Sequence, residues 1–278
     1  MRIKDLLQKY HTQLTGIYPP PEISAIFYRL TEHFWGLKRL NIALHPDMQI
    51  PDNQMEKALT KLQQNKPWQY ITGKTEFYGL PIVLNQQVLI PRPETEELVD
   101  WVLKDLPKNT DSIKIIDIGT GSGAIAISLA KHIPHASVDA IDISAEALKI
   151  ARKNALLNQV KINFIHTDIL QQFDLSDYHI IVSNPPYVRQ SEKQQMHPNV
   201  VNYEPASALF VADENPLVFY EKIIEWSKNS KQNPFLYFEI NEFLKPELEK
   251  LLQRKNLPNY TFKKDFFDKW RMLKIHLH

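Results

Sequence analysis

Apolar residues recur at helical spacing through the first 75 positions. Ile3, Leu6, Leu7, Tyr10 and Leu14 mark one stripe, and Ile23, Ile26, Phe27 and Leu30 mark another. Tyr18-Pro19-Pro20-Pro21 separates them, with Glu22 in the first turn of the second helix. A third helix is predicted from Met55 to Leu62, ending near Asn65 and Pro67. From Glu76 to Ile90 the pattern breaks into short apolar pieces around Gly79 and Asn85, which predicts a β-hairpin. After Pro91 the rhythm becomes strand, helix, strand. Helices are predicted over residues 94–103, 124–133, 145–157, 217–228 and 244–254. Strands are predicted over 114–118, 137–141, 162–165, 180–183, 235–240, 260–264 and 271–277. Such alternation implies an α/β unit with a mainly parallel sheet covered by helices on both faces. The last two strands have no helix between them, so an antiparallel edge pair is expected. The organisation read from the pattern is therefore a helical domain over 1–75, a hairpin linker over 76–90 and an α/β domain over 91–278.

Composition narrows the class. At 278 residues and 43% hydrophobic, the chain can bury a substantial core. No apolar run approaches a membrane span and the N-terminus lacks a signal-peptide core, so a cytoplasmic protein is expected. With 0 cysteines there is neither a disulfide framework nor a thiolate nucleophile. A net charge of +1 without a long basic run gives no broad nucleic-acid footprint. The 10 histidines are scattered without ligand spacing, and no metal is expected.

Two motifs carry chemistry. Asn184-Pro185-Pro186-Tyr187 follows the apolar strand Ile180-Ile181-Val182 directly. Consecutive prolines fix φ and remove two donors while leaving their carbonyls free. With the Asn184 side-chain carbonyl, the turn offers acceptors to a planar –NH2 group, and Tyr187 offers an aromatic face. That suits methylation of an amino or amide nitrogen, whereas a lone Asn-Pro pair is more commonly a surface turn. The second motif is Gly119-Thr120-Gly121-Ser122-Gly123, which holds three of the chain's 7 glycines and joins a strand to a helix. Glycines permit the tight turn and close backbone approach to a ligand, and the helix N-terminus favours an anionic group. Asp142 ends the next strand, about where a carboxylate that grips ribose hydroxyls is expected. A glycine loop and an acid are shared by dinucleotide enzymes and enzymes using S-adenosylmethionine. The Asn184–Tyr187 clamp decides for the latter, because hydride transfer has no use for it.

With these residues in hand, the chain resembles the HemK/PrmC family of peptide-chain release factor N5-glutamine methyltransferases. Lys66-Pro67-Trp68-Gln69-Tyr70-Ile71-Thr72-Gly73, Leu89-Ile90-Pro91-Arg92-Pro93-Glu94-Thr95-Glu96, Asp117 to Ala126, Val182 to Val188 and Tyr203-Glu204-Pro205 match in order along nearly the whole sequence. The resemblance implies a Rossmann-like class I methyltransferase sheet with an N-terminal helical domain. It implies S-adenosylmethionine as cofactor, released as S-adenosylhomocysteine. The implied substrate is the glutamine of a Gly-Gly-Gln loop on a class 1 release factor, and a cytoplasmic monomer acting on neither membrane nor nucleic acid is expected. Gly119, Thr120, Gly121, Ser122 and Gly123 would wrap the methionine part of the cofactor, and Asp142 would bind the ribose. Asp168 and Ile169, ending the third strand, would face the adenine. Asn184, Pro185, Pro186 and Tyr187 would hold the glutamine, with Asn184, Pro185 and Tyr187 carrying catalysis and Asn184 also bordering the cofactor. The helices of 1–75 would dock the release factor.

Three stretches depart from the family pattern by lacking glycine: Ala212-Asp213-Glu214-Asn215-Pro216, Glu239-Ile240-Asn241-Glu242 and Asp268-Lys269-Trp270-Arg271. Asn and Asp tolerate left-handed backbone, so the fold is expected to survive. Arg92 has two readings, facing the cofactor carboxylate or pairing with Glu94 or Glu96. Glu204 is read as structural, and Trp35 and Trp68 as core. The competing functions are an N6-adenine methyltransferase acting on DNA or RNA, which the same clamp would suit, and a non-catalytic translation-factor-binding module.

Overall fold

The computed structural model describes residues 1–51, 53–106 and 112–277. The chain divides into two compact units, Met1–Lys74 with His197–Tyr203, and Thr75–Met196 with Glu204–His278.

In the first unit, α1 (Ile3–Leu14), α2 (Pro20–Trp35), α3 (Arg39–Leu44), α4 (Asn53–Gln63) and α5 (Trp68–Thr72) enclose one core. The predicted stripes face it: Ile3, Leu6, Tyr10 and Leu14 from α1, and Ile23, Ile26, Phe27 and Leu30 from α2, are buried together with Met55, Leu59 and Leu62 of α4. Tyr10 meets Phe27 edge-on with ring centres 5.1 Å apart, and its hydroxyl donates to the Met55 carbonyl at 2.8 Å. The proline break starts α2 with Pro20 and Pro21 in its first turn, where a missing N–H costs nothing, and Gly36 closes it in the left-handed conformation. Trp35 and Trp68 pack against this core from its margin. Residues 197–203, 120 positions and more downstream in sequence, belong to the same unit, and the Tyr203 hydroxyl donates to the Gln64 carbonyl at 2.8 Å. Only Ile42 of α3 is buried, which is why that short helix left no periodic signal.

The second unit opens on the hairpin β1 (Lys74–Phe77) and β2 (Leu80–Val83). Strand pairing ends at Val83, so the predicted hairpin is shorter than its 76–90 span, and residues 84–92 lie outside any strand. Then follow α6 (Pro93–Asp105), β3 (Ile113–Ile118), α7 (Ala124–His132), β4 (Ala136–Asp142), α8 (Ala145–Leu157), β5 (Asn163–His166), β6 (Ile180–Ser183), β7 (Val188–Arg189), α9 (Pro198–Val201, assigned to the first unit), β8 (Phe210–Val211), α10 (Val218–Ser227), β9 (Phe235–Glu239), α11 (Lys245–Arg254), β10 (Tyr260–Lys264) and β11 (Trp270–His276). Every helix and strand predicted after Pro91 forms within two residues of its expected bounds. The small parallel pair β7–β8 was not expected, being two residues per strand.

The seven-stranded sheet runs β10-β11-β9-β6-β3-β4-β5. Strands β9, β6, β3, β4 and β5 are parallel, while β11 runs antiparallel to β9 and β10 antiparallel to β11, as the missing crossover helix implied. Parallel strands buried on both faces need continuous apolar runs, and Ile180–Ser183 is buried throughout. Register aligns the carboxyl ends: Ile118 lies opposite Ile141 and Ser183, and Ser183 opposite Phe238. The residues that follow these strands, where ligands sit in such sheets, therefore emerge along one edge. Among the glycine-poor stretches, Asp268 does take a positive φ of 64°. Asn241 does not. Its φ is −74°, and its side chain caps the Phe243 N–H at 3.1 Å, so a glycine is dispensable there for a different reason.

Candidate active site

The glycine loop turns on three left-handed glycines, with φ of 74° at Gly119, 55° at Gly121 and 83° at Gly123. Gly119 and Thr120 donate their backbone N–H groups to the Ile141 carbonyl at 2.9 and 3.0 Å, pinning the loop to β4. Gly121 donates to Asp142 Oδ2 at 2.8 Å, and Ser144 donates its N–H to Asp142 Oδ1 at 2.8 Å. Each Asp142 oxygen so uses one lone pair and keeps one. Burial pushes the Asp142 carboxyl above its ordinary pKa, and backbone N–H groups of Ser144, Gly121 and Ile143, with His166 nearby, pull against that. Beneath the loop, Asp117 is fully buried at the end of β3. Its Oδ2 accepts from the Thr120 hydroxyl at 2.6 Å and from the Ala126 N–H at 3.2 Å, while Oδ1 has no partner. Burial pushes this carboxyl up to about 7.

A cavity of about 270 Å³ lies at the carboxyl edge. Of the predicted residues it brings together Gly119, Gly121, Asp142, Asp168, Ile169, Asn184, Pro185 and Pro186. Thr120, Ser122, Gly123 and Tyr187 do not line it. Thr120 faces down to Asp117, and the Ser122 carbonyl accepts from Asn154 at 2.9 Å. A Cβ on Gly123 would lie 3.0 Å from Ile127 and 3.1 Å from Ala151, so this glycine serves the packing of α7 on α8. Asp168 Oδ1 caps the Leu170 N–H at 2.9 Å. Val88 and Leu89 from the segment after the hairpin, Pro205 and Ala208, and Phe219 of α10 complete the wall. Sequence reasoning assigned none of these to the site. The wall is mainly apolar, and Ile143 stays 60% exposed at it.

The tetrapeptide is held from outside the cavity. Asn184 Nδ2 donates to Thr95 Oγ1 at 3.2 Å, and the Thr95 hydroxyl donates to Glu239 Oε2 at 2.6 Å. The Tyr187 hydroxyl donates to the other oxygen, Glu239 Oε1, at 2.9 Å, and its half-buried ring packs against the core cluster and does not line the cavity. Burial raises the pKa of both Tyr187 and Glu239. Thr95 and Glu239 were not assigned roles from sequence, although each leaves a signal. Thr95 is the polar member of the buried stripe Thr95, Leu98, Val99 and Val102 on α6, and Glu239 is a charge at the end of the buried strand β9. Arg92 does not pair with Glu94 or Glu96. It pairs with Glu204 at 2.6 Å, while Glu96 accepts instead from the Tyr78 N–H. Glu204, its side chain 1% exposed, also accepts from the Ile90 N–H at 3.3 Å and so ties together both segments that flank the cavity. Among the described residues there is no group of three or more side chains suited to holding a metal ion.

Residues 5–73 match the PrmC N-terminal domain and residues 98–207 the methyltransferase small domain. The release factor glutamine methyltransferase of Flavobacterium psychrophilum is 49% identical over 98% of this chain and 99% of its own length. That of Bacteroides thetaiotaomicron is 41% identical over 94% of this chain and 95% of its own. The chain belongs to the release factor glutamine methyltransferase family. Membership agrees with the resemblance carried by the Pro91–Glu96, Asp117–Ala126 and Val182–Val188 motifs, and it makes the chain a methyltransferase. Among solved structures, the human methyltransferase 10 domain containing protein matches with a TM-score of 0.54 at 18% identity, over 72% of this chain and 90% of that one. The hMettl16 catalytic domain in complex with MAT2A 3'UTR hairpin 6 matches with a TM-score of 0.55 at 16% identity, over 72% of this chain and 77% of that one. At these identities the likeness establishes the class I methyltransferase fold and nothing of the substrate. No helix among the described residues is long and apolar enough to cross a membrane.

Proposed function

We propose that this chain methylates the side-chain amide nitrogen of the glutamine in the Gly-Gly-Gln motif of class 1 release factors, using S-adenosylmethionine bound in the cavity at the sheet's carboxyl edge. The observation that carries the reading is Asn184, which reaches the cavity wall with its NH2 group already committed to Thr95 and its carbonyl oxygen left to accept from a substrate amide.

The residues present fit the cofactor. The spare lone pairs of Asp142 suit two ribose hydroxyls, and the apolar wall around Ile143, Ile169 and Phe219 suits a flat heterocycle. Gly119 and Gly121 have open space where a Cβ would stand, so backbone can approach a ligand closely. The unpartnered, buried Asp117 Oδ1 is a place for positive charge or a bridging water. When bound there, S-adenosylmethionine supplies an electrophilic methyl group on a cationic sulfonium.

The protein's own task is positioning, because an amide nitrogen is a poor nucleophile. The Asn184 carbonyl oxygen and the free carbonyls of Pro185 and Pro186 accept the two amide hydrogens, which turns the nitrogen lone pair out of conjugation. A methylated amide nitrogen would be strongly acidic and would lose its proton to water, so the residues around it need to hold and orient the amide and need not supply a dedicated base. The first unit, with its separate core, docks the release factor, since a glutamine on a loop tip offers too little surface for specificity.

The deciding experiment follows tritium from labelled S-adenosylmethionine into a full release factor, its Gln-to-Ala variant and duplex DNA. Label in the first alone is the expected result. Label in DNA would favour the adenine reading, which shares the clamp, and label in none would leave a binding module.

A further inference from the structure

We propose that Thr95 and Glu239 form a one-way hydrogen-bond relay that fixes which end of the Asn184 side-chain amide faces the substrate, making both of them positioning residues for methyl transfer. The inference rests on the assignment of Asn184 as the amide clamp.

Sheet register brings the parts together. Ser183 pairs with Phe238, so the next residues, Asn184 and Glu239, leave adjacent parallel strands at the same level. Thr95, on α6, bridges them. A hydroxyl has one proton to give, and a carboxylate can only accept. Thr95 gives its proton to Glu239 Oε2 at 2.6 Å, so toward Asn184 its oxygen can only accept. Asn184 must then present its NH2 group to Thr95, as it does at 3.2 Å, and its carbonyl oxygen is turned the other way. An asparagine amide is nearly symmetric in shape, so packing alone would hold either orientation about equally well. The direction of the hydrogen-bond chain is what separates them. The second oxygen of the same carboxylate takes the Tyr187 hydroxyl at 2.9 Å, so both ends of the Asn184–Tyr187 turn hang on Glu239.

Glu239 is 1% exposed and Thr95 is 4% exposed, in positions where an apolar residue would satisfy the core more simply. The groups facing Glu239 are Thr95 and Glu94 from α6, Tyr187 after β6, Tyr220 of α10, which donates to its backbone carbonyl at 3.0 Å, and Arg271 of β11. Protonation of Glu239 would reverse the chain. The carboxyl would donate to Thr95, and Thr95 would donate to the Asn184 carbonyl oxygen, consuming the acceptor that the substrate needs. Burial raises this carboxyl's pKa, so the reversal occurs at a higher pH than for an exposed glutamate.

The test compares full-length Thr95→Val, Thr95→Ser and Asn184→Ala with wild type on an intact release factor at saturating cofactor. Cofactor affinity is followed by calorimetry and folding by Tm. Thr95→Val keeps the shape and removes the hydroxyl. It is expected to lower kcat roughly 10- to 100-fold, with cofactor Kd within about threefold, the scale of a misplaced reacting group. Thr95→Ser is expected to recover most of that loss. Thr95→Val should also narrow the binding preference, read as release-factor Kd, for a release factor carrying Gln over one carrying Glu, because a turned Asn184 offers donors in place of an acceptor. A purely structural Thr95 would leave that preference alone. If Thr95→Val does not fold, Thr95→Ala serves the same comparison. The wild-type kcat should fall on the acid side with an inflection that is absent in Glu239→Gln, and its persistence there would remove Glu239 from the relay. Thr95→Val turning over within twofold of wild type, or Thr95→Ser as slow as Thr95→Val, would overturn the relay while a slow Asn184→Ala leaves the clamp standing. Asn184→Ala with wild-type turnover would overturn both.

Discussion

The two halves of the pocket are built by different means. On the side proposed to hold the cofactor the contacts are local and mostly backbone: Gly121 reaches Asp142 across 21 positions, and Asp117 holds Thr120 and Ala126 within nine. On the substrate side, side chains converge from afar, Asn184 on Thr95 across 89 positions and Thr95 on Glu239 across 144. A backbone cradle tolerates many substitutions provided the glycines stay. A side-chain relay is only as good as each hydroxyl and carboxylate in it, so damage should be graded differently in the two halves.

The largest effect should come from the substrate half. Asn184→Ala is expected to lower kcat by roughly 100-fold or more, comparable to losing one preorganised hydrogen-bonding group around a reacting centre. Cofactor Kd should stay within a few-fold, read by calorimetry beside steady-state rates. Lost cofactor affinity with intact turnover would invert the assignment.

Asp142→Ala should do the reverse. Each hydrogen bond to a charged group contributes roughly 1.5–3 kcal/mol when its partner is removed, so even one of the two ribose bonds lost should raise cofactor Kd roughly 10- to 100-fold with kcat largely kept at saturation. An unchanged Kd would make Asp142 merely the anchor of Gly121 and Ser144.

A third measurement probes the cofactor half without any ligand. Asp117 binds its proton more tightly folded, near 7, than an unfolded aspartate does near its ordinary 3.8. Its contribution to stability is therefore fully present below the unfolded value and is lost as pH rises through about 7. Thermal unfolding from pH 4 to 8 should show wild type losing stability relative to Asp117→Asn across that window, by up to roughly 4 kcal/mol for about three pKa units. Parallel curves would mean that Asp117 carries no such proton.

The smallest effect concerns the first unit. Leu40 and Leu44 stand four residues apart on α3 and are 69% and 65% exposed. Replacing both with Ser should raise KM for an intact release factor severalfold while leaving cofactor Kd and Tm near wild type. Equal kcat/KM would turn attention to other faces of the helical unit.

The same contrast explains what the sequence made legible. The parallel sheet, the glycine loop, Asp142 and Asn184 announce themselves through contiguous residues: an apolar strand followed at once by its functional turn. The positions of Val88, Phe219 and Glu204 depend on segments more than a hundred residues apart meeting at one edge, and no local pattern encodes that meeting. Arg92 shows the point well. Its acidic neighbours Glu94 and Glu96 lie within one helical turn, yet its partner is Glu204, 112 residues later. Tyr187 offers an aromatic ring by its sequence position, but its hydroxyl bond to Glu239 on β9 is a long-range pairing that the sequence does not announce. Thr95 and Glu239 were visible only as misfits, a polar residue in an apolar stripe and a charge in an apolar strand. Such misfits are informative in proportion to how costly they are to bury.

The return of residues 197–203 to the helical unit has a consequence for how the protein comes into being. A nascent chain leaves the ribosome N-terminus first, and early domains generally fold as they emerge. Here the first unit lacks its closing piece, including Tyr203 on Gln64, until residues 197–203 have been made. The helices can gather early, but their final closure must wait for the strand carrying Asn184 and the turn after it. Cutting the chain near residue 75 would thus yield two fragments that are each missing, or left holding, a part that belongs to the other.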